Sequence, residues 1–280
     1  MKPFVVKGKS IPSGKISLPG DKSIAHRALI ISSLSSGKTI IKNFPVCEDS
    51  LATLKAMTTL GVKILRKKKQ VLVNGLPSGG LSEPARPIFT GNSGTTMRLL
   101  LGVLAGQDFT TKLTSGKYLS VRPMARVNLP LRKMGAGITA RNIGREEYPP
   151  IVITGHKLKG ISYRLPVASA QVKSAILLAG LFASGQTRVI QPVKTRDHTE
   201  RMLKLFGAKI TVNKNSVILH PDKGLVSPGE IYIPGDISSA AFFLVLGAII
   251  PGARVSIQRV SLNPSRYGII NVLKRMQAKI

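Results

Sequence analysis

Apolar positions along the chain fall into two alternating classes. Four segments, AHRALIISSL, TMRLLLGVLAG, QVKSAILLAGLF and AAFFLVLGAII, are rich in Ala, Leu and Ile and apolar nearly all round, the pattern of helices buried on every side. Four others are amphipathic: LKAMTTLGVKI (54 to 64), LPLRKMGAGI (129 to 138), MLKLFGAKI (202 to 210) and VLKRMQAKI (272 to 280). The first three of these stop at a glycine, as helices with a left-handed C′ residue do. Between the two classes lie short β-rich runs. KTIIKNF, TRVIQPV and ARVSIQR follow SG or PG turns, and VKIL with QVLV, then AKITV with SVILH, flank the turns RKKK and NKN as hairpins.

The pattern repeats. Gly61, Gly135, Gly207 and Gln277 occupy one place in the amphipathic segments, at intervals of 74, 72 and 70 residues. A second landmark agrees: KISLPGDKS, RPIFTGNSG, YRLPVASA and IYIPGDIS each run from a β-rich segment through a turn into small residues. The predicted architecture is therefore α/β, built of repeated strand-helix-strand-helix-strand-strand units with buried inner helices. The fourth copy stops at Ile280, after its second helix. Without its two closing strands it would leave a sheet edge unpaired and an apolar helix face uncovered, so the expectation is a chain truncated at its C-terminus.

Charge adds one alternative and composition removes several. The 280 residues carry 42 Lys and Arg against 12 Asp and Glu, a net +30 that would attract any polyanion. A nucleic-acid-binding protein is one reading of that charge. Aromatics amount to only 5%, Trp is absent, and the positive charge is spread along the chain instead of forming a stripe interleaved with aromatics. One cysteine, Cys47, cannot form an internal disulfide, and His26, His156, His198 and His220 lack metal-ligand spacing. The longest apolar run falls short of the roughly 18 residues a membrane span needs, and the N-terminus has no signal-peptide core. A soluble cytoplasmic protein without metal or cofactor is expected.

The turns carry the candidate chemistry. LPGDKSIAHRAL sets Asp21 or Ser23 at a helix start with Lys22 and Arg27 nearby, so backbone N–H groups, a hydroxyl and two cations can converge on a phosphate or carboxylate. GNSGTTMR is a second glycine-rich helix start, with Gly94 inside it and Arg98 one turn on. VRPMARVNLPL supplies Arg122 and Arg126, which point either at a site or into solvent. Ser169 and Gln171 of LPVASAQVKSA lie at a third helix start, where they hydrogen-bond a ligand or simply cap. In KTRDHTERM, Asp197 or Thr199 is a candidate N-cap and Glu200 a capping-box partner, which leaves Arg196 for a ligand. His26 reads as a packed histidine, and RKKK as a solvated hairpin tip.

In this order, PGDKSIAHRAL, GNSGTTMRLL, the VRPM segment, LPVASAQVKSA, TRDHTERM and PGDISSAAFFL closely resemble the 5-enolpyruvylshikimate-3-phosphate synthase (3-phosphoshikimate 1-carboxyvinyltransferase) family across essentially all 280 residues. The resemblance implies the two-domain enolpyruvyl transferase fold, with residues 20–233 a complete three-unit substrate-binding domain and 1–19 with 234–280 an incomplete second one. It also implies a typically monomeric protein that transfers the enolpyruvyl group of phosphoenolpyruvate to shikimate 3-phosphate with release of phosphate, in the shikimate pathway of aromatic amino acid biosynthesis. Matched positions assign Lys22, Ser23, Arg27, Ser169, Gln171 and Arg196 to shikimate 3-phosphate. Lys22, Gly94, Arg122 and Gln171 match phosphoenolpyruvate positions, with Lys22 facing both substrates and standing as the catalytic candidate. Ala170 departs from the second serine of many members. The family's catalytic carboxylates lie beyond residue 280, so the chain alone is expected to be inactive. UDP-N-acetylglucosamine enolpyruvyl transferase is the alternative within the fold, but TSGKYLSVRP lacks the cysteine typical there.

Overall fold

The computed structural model describes residues 11–77, 80–221 and 224–280. The described residues divide into two compact units, Lys22–Ile233 in one, and Pro234–Ile280 with residues 11–21 in the other. The first boundary falls two residues later than expected, after Asp21. The reason is local pairing: Gly20 bridges antiparallel to Gly235, Asp21 N–H donates to the Pro234 carbonyl at 2.8 Å, and Asp236 N–H donates to that of Pro19 at 3.1 Å.

In the larger unit, helices α1 (Lys22–Ser33), α2 (Glu48–Thr59), α3 (Gly94–Leu104), α4 (Ala125–Met134), α5 (Ala170–Gly180) and α6 (His198–Leu205) alternate with three four-stranded sheets. Each sheet has one plan. A short strand lies parallel to the strand that follows the inner helix, and an antiparallel hairpin completes the order: Ile88–Phe89, Thr110–Thr114, Glu146–Thr154, Gly137–Ile143 in one sheet, and Ser162–Arg164, Thr187–Ile190, Ser216–Leu219, Ile210–Val212 in another. In the sheet that contains Lys38–Lys42, the parallel position belongs to Glu230–Tyr232, from the end of the unit. The strand immediately before α1, Ser13–Ser17, instead pairs parallel with Arg254–Gln258 in the smaller unit.

The all-apolar helices are the core of the larger unit. Leu29 to Ile31, Leu99 to Leu101 and Ile176 to Leu177 are fully inaccessible, each side chain contributing about 1.5–3 kcal/mol of hydrophobic stabilisation. A Cβ on Gly102 would sit 2.2 Å from the Ala175 carbonyl oxygen, so bare backbone is what lets α3 lie against α5. The outer helices end alike: φ is +91° at Gly61, +115° at Gly135 and +86° at Gly207, and the next N–H returns to a helix carbonyl (Val62 to Met57, Ala136 to Leu131, Ala208 to Leu203).

The smaller unit holds α7 (Ile237–Ile249) and α8 (Gly268–Arg275) with the Ser13–Ser17/Arg254–Gln258 pair. Gln277 has φ +62°, and Ala278 N–H returns to the Leu273 carbonyl, so the fourth repeat makes the same stop without glycine. The expectation that α7 is buried all round does not hold within this unit. Ile237 and Ala240 are buried, but Phe242 is 79% and Ile249 68% exposed, because one two-stranded sheet and α8 are what α7 packs against there. Asp236 caps α7, accepting from Ser238 N–H at 2.8 Å. Asp21, expected at a helix start, is fully buried and faces Arg266 at 3.5 Å, an ion pair 245 residues apart in sequence that no local pattern announces.

Candidate functional site

All three inner helices of the larger unit present their first turns to one cavity of about 410 Å³. From α1 come Lys22, Ser23 and Arg27, from α3 Gly94, Thr95 and Arg98, and from α5 Ala170 and Gln171. Arg122 and Arg196 reach it from just ahead of α4 and α6, and Asp49 from the first turn of α2. Helix N-termini offer unpaired N–H groups and the positive end of the helix dipole, and among the described residues five cations join them here against one carboxylate. The arrangement suits a ligand carrying more than one anionic group.

Seven of the eight candidate residues line this cavity: Lys22, Ser23, Arg27, Gly94, Arg122, Gln171 and Arg196. Ser169 does not. Its Oγ accepts from Val172 N–H at 3.3 Å as the N-cap of α5, and its neighbour Ala170 takes the lining position. Asp49, Asn92, Thr95 and Arg98 are lining residues that the sequence assignment left out. The GNSGTTMR segment contains three of them, Asn92, Thr95 and Arg98, and the repeat register, which sets the first turn of the outer helix near the inner helix start, was the signal for Asp49.

Lys22 Nζ lies 2.6 Å from Asp49 Oδ2. Arg98 donates from Nη1 to Gln171 Oε1 at 2.7 Å, and Gln171 Nε2 donates to Thr95 Oγ1 at 2.9 Å, a chain that orients both amide ends of Gln171. Burial, reinforced by Arg122 and Arg126, holds the Arg98 guanidinium below its ordinary pKa. Arg126 thus acts on the site electrostatically without lining it. Gly94 fits closely, since a Cβ there would lie 2.8 Å from Arg98 Nη1.

Behind the lining, several polar groups are bonded to one another. Arg27, only 3% exposed, donates to Thr199 Oγ1 (2.6 Å), the Ser23 carbonyl (2.8 Å) and Ser174 Oγ (2.8 Å). His26 is fully buried with Nδ1 2.6 Å from Thr53 Oγ1, and burial, then the adjacent Arg27, lowers its pKa to about 3 against a partly opposing Asp49, so the ring is neutral. Glu200 is not a capping-box residue. It makes a buried 2.5 Å ion pair with Lys173 of α5, while the α6 N-cap, Asp197, accepts from Arg201 Nε at 2.8 Å.

Residues 6–280 match the family described as EPSP synthase (3-phosphoshikimate 1-carboxyvinyltransferase). The chain belongs to this family. It is 52% identical over 267 residues to the 3-phosphoshikimate 1-carboxyvinyltransferase of Geobacillus thermodenitrificans, and 47% identical over 267 residues to that of Bacillus subtilis. Each alignment covers 95% of this chain and 61% or 62% of the relative, so the chain spans just over three fifths of the length of these EPSP synthases. A solved EPSP synthase from Acinetobacter baumannii superposes with a TM-score of 0.91 at 47% identity, covering 97% of this chain and 61% of that one. The EPSP synthase fold is thus the fold of this chain.

Proposed function

We propose that the cavity binds shikimate 3-phosphate and phosphoenolpyruvate, and that the protein serves transfer of the enolpyruvyl group from the second to the first with release of phosphate. The observation that carries this reading is the convergence of three inner-helix N-termini with Lys22, Arg27, Arg98, Arg122 and Arg196. Both substrates are phosphorylated carboxylates, and such a field offsets their mutual repulsion while holding the reacting atoms close. Lys22, Ser23, Arg27, Ser169, Gln171 and Arg196 take shikimate 3-phosphate in this reading, Ser169 accepting the α5 cap bond from Val172 N–H as well. Lys22, Gly94, Arg122 and Gln171 take phosphoenolpyruvate.

In the reaction the substrate hydroxyl oxygen adds to C2 of phosphoenolpyruvate while C3 gains a proton. The resulting tetrahedral ketal expels phosphate and returns a proton from C3, restoring the double bond. Those proton transfers require an acid and a base. Among the described lining residues Lys22 is the catalytic candidate, and the one carboxylate, Asp49, is paired with it at 2.6 Å, so the cavity holds no carboxylate apart from that pair. The monomeric, cytoplasmic setting expected from the sequence belongs to the same proposal; among the described residues no helix is long and apolar enough to cross a membrane.

Calorimetric titration of each substrate into the 280-residue chain tests the reading. Saturable binding of shikimate 3-phosphate, weakened about tenfold by Arg196→Ala, is expected. Absence of binding at millimolar ligand would overturn it. Phosphate release from the substrate pair should stay well below about 1 s⁻¹, and turnover at that rate would show that the proton acceptor is already present.

A further inference from the structure

Burying a lysine is costly, and an apolar pair of similar volume often serves stability as well or better. Lys173, in the first turn of α5, is nonetheless completely inaccessible, 2.5 Å from a Glu200 that is itself buried. Stability gives no reason for such a pair, but its connections do. Lys173 Nζ also donates to Gln191 Oε1 at 3.2 Å, and that oxygen accepts from Thr195 N–H at 3.1 Å and Thr195 Oγ1 at 2.8 Å. The next residue after Thr195 is Arg196, which lines the cavity.

The adjacent residue of α5 makes a parallel connection. Ser174 Oγ meets Thr199 Oγ1 at 2.6 Å and accepts from Arg27 Nη2 at 2.8 Å. Two consecutive side chains of one helix therefore hold two cations of the cavity, Ser174 touching Arg27 directly and Lys173 reaching Arg196 through the loop before it. Glu200, one residue past Thr199, pins the start of α6 between them.

We propose that Lys173 is a positioning residue for the anion cavity: through Gln191 and Glu200 it fixes the 191–196 loop so that Arg196 faces the ligand. The identity of that ligand rests on the function proposed above; the ordering of the loop does not.

The double variant Lys173→Met/Glu200→Gln removes both charges without stranding either. In the wild-type background Arg196→Ala lowers affinity for inorganic phosphate and for shikimate 3-phosphate about tenfold, whereas in the neutral background it lowers it less than about twofold. Arg122→Ala keeps its full effect in both. Equal effects of Arg196→Ala in the two backgrounds would overturn the proposal, because a merely structural pair leaves that coupling unmoved. Amide exchange at Thr195, read without ligand, should be faster in the neutral variant by about tenfold or more, and unchanged protection there also refutes the idea. Gln191→Leu leaves the ion pair in place and should loosen Thr195 equally, which keeps the test open if the double variant does not fold. Phosphate binding without shikimate 3-phosphate binding would reject the ligand and retain the positioning role.

Discussion

Arg27 donates from Nε to Thr199 Oγ1 at 2.6 Å, joining α1 to α6 across 172 residues of chain. With its further bonds to Ser23 and Ser174, this cation is a clip as well as a cavity wall. Arg27→Ala should lower unfolding free energy by about 2–4 kcal/mol in denaturant titrations, beyond any effect on binding. Thr199→Val keeps the cation and should lose about 1–2 kcal/mol. If Arg27→Ala weakens shikimate 3-phosphate binding and leaves stability unchanged, the clip is not a structural element.

Acid should destabilise the larger unit through His26. Its folded pKa of about 3 lies below its ordinary 6.5, so between these values the unfolded chain binds a proton that the folded one refuses. Stability contributed by the neutral ring is full above pH 6.5 and falls as pH drops through that window, by up to about 1.4 kcal/mol per pH unit. Denaturant unfolding at pH 7 and pH 5 should show the wild type losing about 2 kcal/mol more than His26→Asn. Parallel losses in both proteins would mean that the histidine titrates normally.

Gln277 makes a left-handed helix stop that glycine makes in the other three repeats. Gln277→Gly should therefore stabilise the smaller unit by about 0.5–1 kcal/mol, and Gly207→Gln should destabilise the larger one by a similar amount. Thermal melts of the two variants check both signs, and a destabilised Gln277→Gly would contradict the assignment.

At Gly94 the space is already taken by Arg98, whose guanidinium is bonded to Gln171 Oε1 at 2.7 Å and the Pro123 carbonyl at 3.3 Å. Gly94→Ala should displace that group and weaken phosphoenolpyruvate binding about tenfold with little change in melting temperature. Arg98→Ala should then add less in the Gly94→Ala background than alone. Additive losses in calorimetry would separate the two positions.

The period near 72 residues, the glycine stops and the four all-apolar helices were legible in the sequence because each is a local pattern, set by backbone sterics at Gly61, Gly135 and Gly207 and by helical periodicity. The helix-start motifs were legible for the same reason, and the structure brings seven of the eight candidate residues they supplied to one cavity. What tertiary structure decided is which distant partners meet. Parallel pairing of Glu230–Tyr232 with Lys38–Lys42 leaves no mark on either segment, since any strand of suitable pattern could take that edge. Glu200 carries the sequence signature of a capping box, yet Lys173 lies opposite it once α5 and α6 pack, and at 2.5 Å in a desolvated core the ammonium prevails over a backbone N–H. Side-chain type fixes what a residue is able to bond, whereas the partner it finds depends on which helices the core brings together.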